Sequence, residues 1–453
     1  MRWHVALRQS AIQAVLSHIE PDNEPVTQRR SRLIPRRRNA RLETHRRTSG
    51  RSQMSKKSPS PLHRDEKLTE LRNLKMAKSA HAYVRGSTVQ FYEWLEASDR
   101  VLPHGPPVWI CGDCHVSNIG PIADADGNIN VQIRDLDQTV IGNPAHDIIR
   151  LGVSLAMAAR GSDLPGVVTA KMMEQLTLGY ELALSAKPGS RKTIRKRPDT
   201  IEPVMRRAMR RKWKHLAAER IEGLEPNIPL SKSYWPISGA ERTELKALMS
   251  TEEVRALATS LSHRSAKDKV EMLDAAYWVK GCSSLGLLRY AVLLRVGESK
   301  DPENSLCLID VKEAVRSAAP RAKGARMPKD NASRIILGAT HLAPNLGERM
   351  LAGRIQDKSV FLRELLPQDL KIDIDHLNHD QAMEVAAYLG NVVGRAHAHQ
   401  MENDDRERWL QELGRNRPKT IDTPSWLWKS VVELVKAHEG GYLEHCRQFV
   451  NPI

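Results

Sequence analysis

The chain has 453 residues, with 70 Lys and Arg against 54 Asp and Glu, a formal charge of +16 and a pI near 9.7. Hydrophobic residues at 40 % and charged residues at 27 % describe a globular protein long enough for two or more domain-sized units, not a wholly disordered chain. No apolar run approaches the roughly 18 residues of a membrane helix, and five Cys do not make a disulfide framework.

Residues 1–58 carry 14 Lys and Arg against 4 acids, with little apolar patterning after Ile19. Such a stretch buries too little surface to offset its ordering entropy, so it reads as a disordered basic tail. Its Arg-rich, acid-poor start resembles a transit peptide, while Met54, followed by Ser-Lys-Lys-Ser-Pro-Ser-Pro, offers an alternative start. It lacks the uninterrupted apolar region and cleavage site of a secretory signal, so a cytoplasmic location is expected.

A helical lobe carrying the catalytic and metal-binding loops is expected over 59–276. Residues 66–98 read as helical with a break at Arg85-Gly86, and Pro103, Gly105, Pro106 and Pro107 then precede a short strand, Val108-Trp109-Ile110. Runs 119–123 and 129–134 flank Asp126-Gly127, a hairpin signal. The same loop, Asp124-x-Asp126-x-Asn128, is not an EF-hand, because Ile129 stands where that loop needs Gly. Asn143-Pro144 starts a helix in which Ile148, Leu151, Leu155 and Ala159 recur until Gly161, and helical sequence is expected to about 276. Within it, the 187–215 block holds 12 Lys and Arg against 2 acids. Arg206, Arg210 and Lys214 share one helical face, which is a solvated surface or a nucleic-acid-binding stripe with only Trp213 to stack. A β-rich, nucleotide-binding lobe follows over 277–366, with strands at 277–279, 287–296, 306–311 and 359–365 and a helix over about 330–356. Helices over about 379–400 and 425–449 place 367–453 with the larger lobe.

The densest chemistry is Cys111-Gly-Asp-Cys-His-Val-Ser-Asn118, with Asp135-Leu-Asp137 after the hairpin. Cys111-x-x-Cys114-His115 matches the c-type haem pattern and contains the Cys-x-x-Cys of zinc sites. Haem attachment needs export, zinc needs a second ligand pair, and Cys282, Cys307 and Cys446 stand apart in sequence. The polar residues fit phosphoryl transfer better. Asp113 and Asn118 have the spacing of a kinase catalytic loop, with Asp113 as base, His115 beside it, and Asn118 offering oxygen to Mg²⁺. Mg²⁺ takes oxygen ligands, and Asp135 with Asp137 as auxiliary is placed to supply them. Gly281-Cys-Ser283-Ser-Leu-Gly286 lies between two strands. Leu287-Leu288 excludes a Walker A loop, and Ser283 stands where a kinase loop has its second glycine. The next strand ends in Lys312 amid apolar residues, as a phosphate-contacting Lys would, with Glu348 as its expected acidic partner.

The run from Cys111 to Asn118 resembles the His-Gly-Asp-x-His-x-x-Asn loop of aminoglycoside-phosphotransferase-like kinases, with Cys111 in place of the first His. Asp135-Leu-Asp137 followed by Gly142-Asn-Pro-Ala-His-Asp147 is similar to their magnesium-binding Asp and Gly-x-Pro-x-x-Asp segment. More closely, Tyr83-Val-Arg85-Gly86, Gly112-Asp-x-His-x-x-Asn118-x-Gly120, the 281–314 segment and Gly394-Arg-Ala-His397-Ala-His399 resemble the bacterial domain of unknown function 2252. The resemblance covers roughly 60–450. It implies an α+β, mostly helical, two-lobe kinase-like fold. Asp113 precedes Gly281 here whereas kinases have the reverse order, so either the lobes are circularly permuted, which the resemblance favours, or one half of the assignment fails. ATP and Mg²⁺ are implied with it, and the hydroxyl acceptor is left open, as is the choice between phosphoryl and nucleotidyl transfer. The rival expectation is a catalytically idle scaffold that binds nucleic acid or an acidic partner through 187–215. His397 and His399 are expected on different sides of a helix, in structural roles.

Overall fold

Helices form where apolar residues recur at helical spacing, and the first three are α1 (Arg64–Met76), α2 (Ala80–Val84) and α3 (Thr88–Glu96). The break at Arg85-Gly86 falls between α2 and α3, and a second break precedes α2, where Ser79 Oγ accepts from Ala82 N as an N-cap. The computed structural model describes residues 60–98, 102–186, 197–212, 215–216, 227–282, 284–298, 305–372, 377–415 and 417–449. The tail expected over 1–58, Trp213, Lys214 and Ser283 lie outside the described residues.

Four short strands follow: β1 (Val108–Ile110), β2 (Ile119–Ala123), β3 (Ile129–Ile133) and β4 (Val140–Gly142). β2 and β3 form the expected hairpin, and its turn is closed by Asp124, whose Oδ1 accepts from the backbone N–H of both Asp126 and Asn128. Next come α4 (Ala145–Gly161), α5 (Gly166–Ser185) and α6 (Glu202–Arg210). α4 begins where Asn143-Pro144 predicts, with Asn143 Oδ1 accepting from Ala145 N.

The second half opens with β5 (Tyr234–Trp235), α7 (Gly239–Met249), α8 (Glu252–Ala258), β6 (Val270–Trp278), β7 (Arg289–Val296) and β8 (Leu306–Glu313). It continues through α9 (Asn331–Leu342), α10 (Pro344–Gly347), β9 (Met350–Ile355), β10 (Lys358–Glu364), α11 (His379–Ala398), α12 (Asn403–Gly414) and α13 (Ser425–Phe449). Strands β5-β6-β7-β8-β10-β9 make one antiparallel sheet, so the fold is α+β. Two expectations are corrected. The sheet begins with β5 and β6, ahead of residue 277, and the helix expected to run to 356 stops by Gly347, with Met350–Ile355 paired to β10 instead.

All eight residues of β8 are buried, because both faces of the sheet are covered. Cys307, Ile309 and Val311 point to the side packed by Leu245 and Met249 of α7 and Val254 and Leu257 of α8. Leu306 and Leu308 point to the other side, and the period of two carries Asp310 and Lys312 with them. The larger core lies among α4, α5, α11 and α13. α5 and α11 meet so closely that a Cβ at Gly179 would lie 1.9 Å from Ala387 O, a contact only glycine permits. Among the described residues no helix is long and apolar enough to cross a membrane.

Candidate functional site

β1 pairs antiparallel with β4, Val108 opposite Gly142 and Ile110 opposite Val140. The intervening segment is therefore clamped at its ends, and the β2–β3 hairpin brings Asp113 and Asp135 to one place. Asn118 ties them together, its Nδ2 donating to Asp113 O at 3.1 Å and to Asp135 O at 2.9 Å. Both amide hydrogens are thus committed, which leaves Oδ1 as the acceptor of Asn118. Gly112 has φ +74°, and a Cβ there would lie 2.1 Å from Gln138 O, so the tight turn before Asp113 requires glycine. Cys111 and Cys114 point into the helical core, and burial raises the Cys111 thiol well above its usual pKa, which keeps it protonated and inert.

Two charged residues of α4 hold this loop. α4 is buried almost all round, and its charges must find partners in the interior. Asp147 accepts from Cys111 N at 2.7 Å and Gly112 N at 2.9 Å, and its Oδ2 lies 3.2 Å from His397 Nε2. His397 Nδ1 in turn meets Tyr180 Oη at 2.9 Å. Arg150 donates from Nε to Asp113 Oδ1 at 3.0 Å and from Nη2 to Val84 O at 2.5 Å, and its Nη1 is 3.2 Å from His438 Nε2. Burial raises the Asp113 pKa above the ordinary carboxylate range in spite of that guanidinium. His115 Nε2 sits 3.8 Å from Asp113 Oδ2, while its buried Nδ1 has no hydrogen-bond partner among the described residues. Burial, followed by Arg150, pushes His115 well below its usual pKa, so it is a neutral imidazole.

Burial and Arg150 also lower His438, to about 3. A histidine whose folded pKa is depressed supports stability above its unfolded pKa of about 6.5 and loses that support as pH falls toward the folded value. Urea midpoints measured from pH 7 to 4 are therefore expected to fall less steeply for His438→Gln than for wild type, by up to about 1.4 kcal/mol per pH unit. An unchanged slope would remove His438 as a source of acid sensitivity.

From the sheet, Lys312 reaches Asp135 at 3.3 Å and forms an ion pair with Asp137. The cluster continues across β7 and β10, where Arg289 makes two bonds to Asp310 at 2.9 and 2.6 Å and Arg363 reaches Asp310 at 3.3 Å and Arg134 O at 3.0 Å. Burial works upward on Asp135, but Lys312, with Arg363 and Arg289 behind it, holds it well below the usual range. Asp137 is raised to about 7 by burial and by Asp135, and among the described residues its buried Oδ1 lacks a hydrogen-bond partner.

Asp113, His115, Asn118 and Asp135 line one cleft of about 370 Å³, and Lys312 stands behind Asp135. Gly281 and Ser284 of the glycine loop line its sheet side, where Gly281 has φ +94° and its carbonyl accepts from Lys75 Nζ at 3.2 Å. Gly286 also has positive φ, +105°, but is exposed and outside the cleft lining. Glu348 is exposed at the end of α10, so the expected partnership with Lys312 is replaced by Asp135 and Asp137. His397 is buried on Asp147 while His399 is exposed, on different sides of α11 as its spacing predicts.

The sequence reading missed Arg150, Asp310 and the cleft cations Lys75, Lys280, Arg289 and Arg363. Arg150 carried a signal, since a lone arginine inside an apolar helical run must be paired when the helix is buried. In the described part of the basic block, Arg197 and Arg206 both pair with Glu202, and Arg206 remains largely exposed.

The bacterial family DUF2252, described as uncharacterised proteins conserved in bacteria, matches residues 64–448. No curated protein and no solved structure matches the chain.

Proposed function

The chain belongs to the DUF2252 family, and from that premise we propose that it is an ATP- and Mg²⁺-dependent phosphotransferase with a circularly permuted, two-lobe kinase-like arrangement. The observation that carries this reading is the convergence of Asp113, Asn118, Asp135 and Gly281 on one cleft, with Lys312 bonded to Asp135 from a strand far along the chain. Such a site is assembled in space, so catalytic loop before glycine loop is a workable chain order.

The residues fit a hard divalent cation. Asp135 and Asp137 supply carboxylates, Asn118 keeps Oδ1, and among the described residues the buried Asp137 Oδ1 has no hydrogen-bond partner. Asp135 and Asn118 would hold Mg²⁺, with Asp137 as auxiliary. When bound, Mg²⁺ neutralises charge on the phosphate oxygens. Lys75, Lys280 and Arg289, beside Gly281 and Ser284, line the side suited to a polyphosphate. Asp113 orients the acceptor hydroxyl and takes its proton at Oδ2, since Oδ1 is held by Arg150. As the acceptor oxygen bonds to the γ-phosphorus, the bond to the β-phosphate oxygen breaks and ADP leaves. Most of the rate gain comes from positioning and charge stabilisation.

Calorimetric titration with Mg-ATP, together with ADP release, tests the reading. Asp135→Asn is expected to weaken Mg²⁺-dependent nucleotide binding about tenfold or more, the equivalent of one charged contact. Absence of Mg-ATP binding by the wild-type protein overturns the proposal. So do wild-type rates in both Asp113→Ala and Asp135→Ala.

A further inference from the structure

Beside the cleft lies a second compartment of about 670 Å³, within the size range of small-molecule sites. It is walled by the start of α2, the end of α4 and residues 371–372, and it shares Lys78, Ala82, Arg85, Ser117 and Lys371 with the first. Ser117 belongs to the 3₁₀ turn Val116–Asn118, so this space opens directly beside the loop that carries Asp113.

Its charge is uncompensated. Among the described residues lining it, the carboxylate is Glu439, which is already ion-paired with Arg160. The side chains of Lys78, Arg85 and Lys371 make no hydrogen bond or ion pair within the described residues, and Arg85 Nε is buried without any partner. Burial, with Arg85 and Arg134 nearby, pushes Lys371 down to about 8. Arg85 is half-buried and Lys78 and Lys371 reach solvent, and the three charges converge on the compartment, so an anion there gains charge-assisted bonds to all of them. The proposed polyphosphate site draws on Lys75, Lys280 and Arg289, which line the cleft and not this compartment, so the cations of the second compartment are open to a second anion.

We propose that this compartment receives the acceptor, and that the acceptor is a small hydroxyl compound bearing an anionic group, phosphate or carboxylate, held by Lys78, Arg85 and Lys371. Its role as acceptor rests on the phosphotransferase reading, whereas its anionic character rests on the cations alone. A cationic or neutral sugar leaves the three charges unanswered and is disfavoured.

Inorganic phosphate titrated into the full chain held saturated with Mg-AMP-PNP reads this site with the nucleotide cleft filled. Wild type is expected to bind phosphate, and Arg85→Ala/Lys371→Ala to bind it about tenfold or more weakly, a larger loss than the same variant shows for nucleotide. Lys371→Gln, which removes no hydrogen bond of the fold, is expected to weaken phosphate in the same direction. Acetate in a parallel titration separates the two anion classes: binding as tight as phosphate assigns a carboxylate, weaker binding a phosphate. Failure of both anions to bind wild type at millimolar concentration overturns the inference, as does a double variant that loses nucleotide affinity instead of phosphate affinity. Failure of Mg-AMP-PNP to bind overturns the phosphotransferase reading. Phosphate titrated into the nucleotide-free chain then tests the cations separately, since sensitivity to Lys371→Gln supports the anion site and insensitivity overturns it.

Discussion

Asp113→Asn is expected to slow phosphoryl transfer by about 10²- to 10⁴-fold while leaving the nucleotide affinity within about twofold, the pattern of a lost general base and not of lost binding. Asparagine is the informative replacement because its amide oxygen can still accept from Arg150 at the Oδ1 position. Alanine would leave a fully buried guanidinium without its carboxylate, a loss that costs about 3–5 kcal/mol and confuses folding with chemistry. The pH profile adds an independent sign. Burial raises the Asp113 pKa, and the deprotonated form is the one that accepts the hydroxyl proton. The wild-type rate is therefore expected to climb with pH through a midpoint above the ordinary carboxylate range and then level off. Asp113→Asn should lose that acid limb. A variant with the wild-type rate and limb would show that Asp113 does not take the proton.

Much of the loop was legible because its constraints are local. Asp126-Gly127 predicts the hairpin, Asn143-Pro144 the start of α4, and the spacing from Asp113 to Asn118 the pair that Nδ2 now joins. Asp135 and Asp137 are two apart just beyond the hairpin, and both reach Lys312. What was missed depends on partners far away in sequence. Met350–Ile355 is rich in residues that favour helix, yet it becomes β9 because β10 supplies a ladder for it. Glu348 follows Lys312 in the order expected of a kinase lobe, whereas the carboxylates that reach Lys312 come from a loop that precedes it by almost the length of a domain. The cations of the cleft are scattered from Lys75 to Lys371, and no local pattern could have gathered them. Charge balance told the same story in reverse. The basic surplus of the whole chain sits in two segments, whereas the cations that bear on function lie in a body with no surplus of its own.

Asp147→Ala is expected to give the largest combined loss of stability and rate, although Asp147 touches no substrate in the proposed reaction. It is a positioning residue. Its two carboxylate oxygens receive the N–H groups of Cys111 and Gly112 and the ring of His397, all within the buried core. Removing it leaves three buried polar groups short of a partner. At about 1–3 kcal/mol for each, a loss of roughly 4 kcal/mol is expected in urea unfolding. Such a loss is a large share of the total stability of a typical domain. The turn it releases is the one whose geometry demands glycine at 112, so Asp113 should lose its fixed place against Arg150. A displacement of about 1 Å at a reacting group is enough to cost on the order of 10² in rate. Asp147→Asn separates the two effects. Its amide oxygen can serve one backbone N–H, but its NH₂ group faces another donor, so it should recover part of the stability and little of the rate. The coupling between Asp147 and His397 can be read from a double-mutant cycle of Asp147→Ala with His397→Ala, where non-additive losses are expected for residues joined by one bond. Wild-type unfolding midpoints and rates in Asp147→Ala would show that the loop holds its shape without this brace.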